Sequence, residues 1–519
     1  MSSLKPFAIN DMQGQRHAFS AQSPAIVCFI KEDCPTCRVV LPVLAALVDS
    51  ASEGIDFFVI GQSDAGNRAL MEEYGPSFDI LDDSALAVSY AADIQVVPTL
   101  RLLDATGQIE KELVGFVKTE WQELGTELVA DTNTLNVDWL VLPDWLPGCG
   151  SLSVDPSNYE RLRAEAENSP IRARRIELGG LDDEFEFMFD QGFSDGLPVI
   201  PPTPERVLKM LDATTRNAQD IVAVMPPNMA PVSVEKIAIN CVLAGCKPDY
   251  LPVVIAAVEA VCTDDFNIHG VMATTMGATP VMVVNGPIRE RIGMNMGLGV
   301  LGQGNRANAT IGRALRLVIR NVGGAVPGGT ERSTFGNPMK FTMCFPEWEE
   351  KSCWDALHVD RGFNAEDSTV TVFAMSGGPN LIIDETSTLA SDLATTIGAA
   401  TTTTLNAKAY GFSNCLIVVS PEHAATFNSD SLSKPQLRQL IHRASEKTVA
   451  ELISSPGCTP EQKAHYEALG TATRLAKFGS DTDVNIVVAG SLAGKCTAFF
   501  HGWLPQSIGS VPVTQKITP

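Results

Sequence analysis

No run of apolar residues in this chain approaches the roughly 20 needed to cross a bilayer as a helix, so no membrane-spanning helix is expected. Blocks of Lys or Arg are missing too: 38 basic side chains face 61 acidic ones, a formal charge of −23. Phosphate binding needs a basic footprint, which argues against nucleic acid as a partner. Residues 1–22 lack the basic start and continuous apolar stretch of a signal peptide, and the twelve cysteines fall at irregular spacings. Both absences point to a cytoplasmic protein with mostly reduced thiols and no disulfide scaffold. There is no P-loop, no second C-x-x-C and no H-x-x-x-H, so a zinc site would have to gather scattered ligands. No metal is expected.

What is present is ample core material. With 45% hydrophobic and 19% charged residues the chain reads as globular, and 519 residues exceed one ordinary domain. The expected division is 1–130, a connecting arm at 131–184, and a larger domain at 185–519.

In the first part, AIVCFI at 25–30 reads as a buried strand, short and partly β-branched. Cys34-Pro35-Thr36-Cys37 follows and opens the helix-periodic RVVLPVLAALV, with Pro35 suited to the first helical position, where a missing N–H costs nothing. A Cys at a helix N-terminus meets free backbone N–H groups and the positive end of the dipole, which favour the thiolate. Cys34 is therefore the expected nucleophile, and Cys37 the thiol that resolves its mixed disulfides. The acidic pair Glu32-Asp33 works against that thiolate.

This strand, motif and helix resemble thioredoxin, with Pro42 at the distance of the family's helix-kinking proline and IQVVPTL at 94–100 similar to its cis-proline segment. VGFV at 114–117 and the helix-like KTEWQELGTELVA after it are similar to the family's last strand and helix. The resemblance covers about a quarter of the chain, residues 5–130, and implies a thioredoxin-like fold, a redox-active Cys34–Cys37 disulfide, a cis Pro98 facing it, and backbone groups of Val97 offered to an extended substrate. Asp33 stands where the family usually has Trp. Cys28 stands where it has a buried Asp, and is expected to be a packed core residue.

The arm carries Pro147-Gly148-Cys149-Gly150-Ser151. A cysteine between glycines is open to another thiol, which makes Cys149 a candidate partner for the pair. Beyond 185, apolar runs at 280–285, 369–374, 415–420 and 484–489 alternate with helical segments, the pattern of an α/β domain with a mostly parallel or mixed sheet. Polar loops follow each run, and at strand ends they could form one site, with His423 and Lys495 as acid–base or anion-binding groups. The glycines of 296–305 precede a helix and read as a close-packing or substrate loop. Cys241 and Cys246, five apart, are expected to be offset on one helix, with Cys246 the more exposed. This large domain resembles uncharacterised bacterial proteins, some related to selenoproteins.

The expected function is thus a thiol-dependent oxidoreductase, in which the dithiol regenerates Cys149 or Cys246 in a site that binds a small-molecule substrate. An external thiol or a disulfide reductase is the expected electron partner, no further cofactor is implied, and a homo-oligomer is left open. Competing readings are a lyase or hydrolase of a thio-, seleno- or organometal compound using His423, and a non-enzymatic redox-controlled or metal-binding protein.

Overall fold

The computed structural model describes residues 3–52, 54–129, 135–179, 183–404, 406, 409–454, 458–504 and 509–518. The chain divides into two compact units, Met1–Ile176 and Glu177–Pro519. Residues 135–176, expected as a connecting arm, therefore pack as part of the first unit. The reason is apolar surface: Leu135, Val137, Trp139, Leu142 and Leu146 lie against its core.

The first unit opens with the hairpin β1 (Phe7–Asn10) and β2 (Arg16–Phe19). β3 (Ala25–Ile30), α1 (Pro35–Ser50), β4 (Asp56–Gly61), α2 (Asp64–Tyr74), β5 (Ile80–Asp82) and α3 (Ala87–Ala91) follow, then β6 (Val96–Val97), β7 (Thr99–Leu103), β8 (Ile109–Val114), β9 (Phe116–Val117) and α4 (Lys118–Leu128). The arm adds β10 (Trp145–Leu146), β11 (Cys149–Gly150) and α5 (Pro156–Ala166). Five strands form one sheet in the order β5-β4-β3-β7-β8. β3, β4 and β5 are parallel, and β7 and β8 run antiparallel to their neighbours. All six residues of β3 are buried because it lies at the centre with core on both faces. Helix α1 buries Val40, Leu41, Val43, Leu44 and Leu47 against that core, each fully buried Leu stabilising the fold by roughly 1.5–3 kcal/mol. Cys28 is wholly buried within β3, and burial pushes its thiol well above the usual range.

In the second unit the four expected strands all form, within a mixed sheet. Its strands are β12 (Ile221–Met225), β13 (Ala230–Ser233), β14 (Thr279–Asn285), β15 (Cys344–Pro346), β16 (Thr369–Ile383), β17 (Cys415–Val419), β18 (Lys447–Thr448), β19 (Arg474–Leu475), β20 (Val484–Val488), β21 (Cys496–Gly502) and β22 (Val513–Lys516). The main sheet runs β15-β14-β16-β21-β17-β20, with β22 paired to the early part of β16. Only β14 with β15 and β17 with β20 are parallel in it. Because β14 is antiparallel to β16, its end at Asn285 lies at the opposite edge of the sheet from the ends of β17 and β20. The four loops expected to meet are therefore split. Ser376-Gly377-Gly378-Pro379-Asn380 is not a loop at all: it is an irregularity inside β16, which continues to Ile383 along β21.

Candidate active site

Cys34 caps α1. Its backbone is extended (φ −93°, ψ 111°), Pro35 takes the first helical position, and its sulfur accepts the Cys37 N–H at 3.3 Å. The Cys34 thiol also reaches the Val97 carbonyl at 3.4 Å, beside the cis Val97–Pro98 bond. The thiol of Cys37, its N–H, the thiol of Cys149 and the Thr36 N–H all stabilise a Cys34 anion. Against the opposing effect of burial, they bring its pKa down to about 5. Cys37 moves the other way: burial first, then the charge and hydrogen bond of Cys34, keep it protonated. One sulfur is thus held as an anion and its neighbour as a thiol, the division of labour that exchange requires. The acidic pair does not defeat this. Asp33 is tied to Lys31 at 3.1 Å, which offsets its charge.

The sequence did not reveal what covers this dithiol. β10 pairs with β9, Trp145 opposite Val117 and Leu146 opposite Phe116, and β11 pairs with β6, Cys149 opposite Val97 and Gly150 opposite Val96. Between the two bridges, the Thr36 hydroxyl donates to the Pro147 carbonyl at 2.5 Å. Gln62 holds the far side: its amide nitrogen donates to Ser151 at 2.7 Å and its oxygen accepts the Leu152 N–H at 3.0 Å. Two glycines make the approach feasible. At Gly115 (φ +71°) a Cβ would lie 2.8 Å from the Leu146 carbonyl oxygen, and at Gly148 it would lie 2.2 Å from a Val96 methyl and 2.9 Å from the Val97 oxygen. Under this arm Cys34 is 0% exposed, whereas Cys149 is half-buried. Burial, and then the hydrogen bond to Cys34, raise the Cys149 thiol. Four expected residues, Cys34, Cys37, Pro98 and Cys149, therefore meet in one place. Thr36, Gln62, Gly115 and Gly148 hold the arm; the PGCG turn was their one visible trace.

The remaining expected residues belong to the second unit. Cys246, at 6% exposed against 0% for Cys241, is the more exposed of the two as expected, yet it is buried as well. The helix Val234–Ala244 ends two residues before Cys246, with Gly245 left-handed at φ 87°. The chain doubles back, Cys246 N–H bonds to the Cys241 carbonyl, and the Cys246 thiol donates to Thr310 at 3.4 Å. The two sulfurs are consequently neighbours, with Cys246 helping burial to raise the Cys241 thiol. His423 is 1% exposed and both ring nitrogens are engaged. Its Nε2 faces the Asp384 carbonyl at 3.1 Å and must carry the proton, while Nδ1 accepts from the Thr497 hydroxyl at 2.8 Å. Burial lowers its pKa, so the ring stays neutral. Lys495 donates to the Glu385 carbonyl. The glycine-rich loop is closed by Asn308, whose amide bonds the carbonyls of Asn295 and Val300.

No protein-family model and no curated protein matches this chain. Among solved structures it is similar to StoA from Bacillus subtilis, at 21% identity over 24% of this chain and 97% of that one, TM-score 0.22. A secreted Mycobacterium tuberculosis disulfide oxidoreductase homologous to E. coli DsbE is 17% identical over 24% and 96%, TM-score 0.22. The hypothetical protein SMc02350 from Sinorhizobium meliloti is 16% identical over 29% and 91%, TM-score 0.23.

Proposed function

We propose that the first unit catalyses thiol–disulfide exchange, with Cys34 as nucleophile and Cys37 as resolving thiol. What carries this reading is the opposed protonation of the two sulfurs, Cys34 favoured as the anion at a helix N-terminus and Cys37 held as the buried thiol. The Cys34 thiolate attacks a disulfide and expels one thiolate. Cys37 then loses its proton, attacks the Cys34 sulfur and releases the second half as a thiol, leaving the Cys34–Cys37 disulfide. Two electrons from an external thiol or a disulfide reductase restore the pair. No cofactor beyond the disulfide is required.

Joining this module to a second unit in one chain raises the effective concentration of each for the other. That linkage supports the finer reading, in which the second unit binds a small-molecule substrate and the dithiol serves a cysteine of the same chain. Of the two cysteines expected in that role, Cys149 contacts Cys34, whereas Cys246 is folded under its own helix against Thr310. The hydrolytic reading loses its main group, since neither nitrogen of His423 is free.

The test is turnover of oxidised glutathione by the full chain with dithiothreitol as electron source. Cys34→Ser is expected to abolish it, and Cys37→Ser, treated with oxidised glutathione before any dithiothreitol is added, to stop at a covalent disulfide on Cys34. Turnover by both variants at the rate of the unsubstituted chain would overturn the reading.

A further inference from the structure

The segment on top of the dithiol is built like a bound peptide. It is extended, it adds by main-chain pairing at both β9 and β6, and it presents a cysteine at the residue opposite Val97. Val97 is also where the Cys34 thiol binds, so the Cys34 sulfur and the Cys149 residue, from distant parts of the chain, meet at one peptide unit, and the two thiols interact there. Gly148 lets the segment lie this close, since a side chain there would strike Val96 and the Val97 oxygen. The hydrogen bonds from Thr36, Gln62 and Ser153 fix the register of the segment, the Ser153 hydroxyl donating to the Ile94 carbonyl at 3.0 Å. A covered Cys34 beneath a partly exposed Cys149 is the arrangement of two thiols in series.

We propose that Cys149 is the internal exchange partner of Cys34, so that the arm serves as a built-in client and a Cys34–Cys149 disulfide forms during the cycle. The proposal rests on the exchange reading above. The oxidant is an external small disulfide, which first converts Cys34 and Cys37 to their disulfide and leaves as two thiols. Cys149 then loses its proton and attacks the Cys34 sulfur. The Cys34–Cys149 bond forms, the Cys34–Cys37 bond breaks, and Cys37 leaves as a thiolate that takes up a proton. Cys149 is oxidised by the same amount that Cys37 is reduced, and Cys34 stays at the disulfide level. Run backwards, the step lets Cys37 clear an oxidised Cys149. Because the arm fills the strand-adding edge, the module works on its own chain in preference to extended peptides from elsewhere.

The experiment uses the full-length chain, oxidised with one equivalent of oxidised glutathione, alkylated, and mapped as peptides without reduction. In Cys37→Ser, the expected product is the cross-linked Cys34–Cys149 peptide with both halves of the glutathione released. In Cys37→Ser/Cys149→Ser, glutathione is expected to remain on Cys34. The unsubstituted chain and Cys149→Ser report on the underlying reading, since both should close Cys34–Cys37. If they do, while Cys37→Ser keeps its glutathione and yields no cross-linked peptide, the internal partner is refuted and exchange stands. If neither closes that disulfide, the exchange reading fails and the internal partner with it.

Discussion

The Cys34 thiol lies 3.4 Å from the carbonyl of Val97, and Val97 is the residue that Cys149 faces across its bridge. A single peptide unit thereby organises three parts of the first unit: the helix N-terminus, the β6 edge and the arm. The chemistry at Cys34 and the packing of the arm should consequently respond to one another.

The first consequence concerns ionisation. The Cys37 thiol is the largest influence lowering the Cys34 pKa to about 5, so Cys37→Ala should move the thiolate titration upward, toward the ordinary thiol value of about 8.5. Ultraviolet absorbance of the thiolate reads this directly. Stability follows with a fixed sign. A folded pKa below the unfolded one adds stability that is complete above the unfolded value and lost as pH falls through the folded value. The stability difference between the reduced chain and Cys34→Ser should therefore grow from about pH 5 to about pH 8.5 and vanish below that window. A flat difference across it contradicts a stabilised thiolate.

The arm supplies a second prediction. Gly148→Val places a branched side chain where even a Cβ would lie 2.2 Å from Val96 and 2.9 Å from the Val97 oxygen. Overpacking of this kind costs roughly 1–3 kcal/mol, about a 5-fold to 160-fold shift toward the open arm. Since Cys34 is fully covered in the closed form, its alkylation by iodoacetamide should accelerate by that factor. An unchanged rate means that the arm does not gate Cys34.

What the sequence made legible was local. A strand, a C-x-x-C and a helix opened by Pro35 lie within about thirty consecutive residues, and the backbone rules that place Cys34 at the helix end need nothing from afar. The pairing of Cys149 with Val97 is non-local and involves only two residues of strand, too few to leave a periodic pattern. The charge of Asp33 is legible in the sequence, whereas its ion pair with Lys31, two residues away, emerges only in the fold. In the second unit, glycine serves two ends that its residue type alone does not separate. Gly245 is a left-handed helix end that turns Cys246 inward, and Gly377-Gly378 is an irregularity inside a long strand, not its end.

Cysteine reactivity in the second unit offers a third prediction. Cys353 is exposed, whereas Cys241, Cys246, Cys344 and Cys415 are buried. Brief treatment of the native reduced chain with a maleimide, followed by peptide mapping, should label Cys353 well ahead of Cys246. Comparable labelling of both would mean that the turn at Gly245 opens readily and that Cys246 is available to a partner after all.

The last prediction concerns acid. His501 sits inside β21, fully enclosed, with Nδ1 against the Gly502 carbonyl at 2.6 Å. Burial, with a smaller contribution from Lys477, lowers its pKa to about 4. An unfolded histidine titrates near 6.5, so between these values the unfolded chain takes up a proton that the folded one refuses. Stability contributed by the neutral ring is complete above about pH 6.5 and falls as pH drops toward 4, by about 3 kcal/mol over the whole interval. His423 is shifted the same way by burial and adds to the trend. Urea unfolding at pH 7 and pH 5 should show the second unit weakened at the lower pH, and His501→Gln should lose a large part of that difference while lowering stability at pH 7. If the substitution leaves the pH dependence untouched, the ring is accepting protons in the folded state and the enclosure of β21 is looser than its packing indicates.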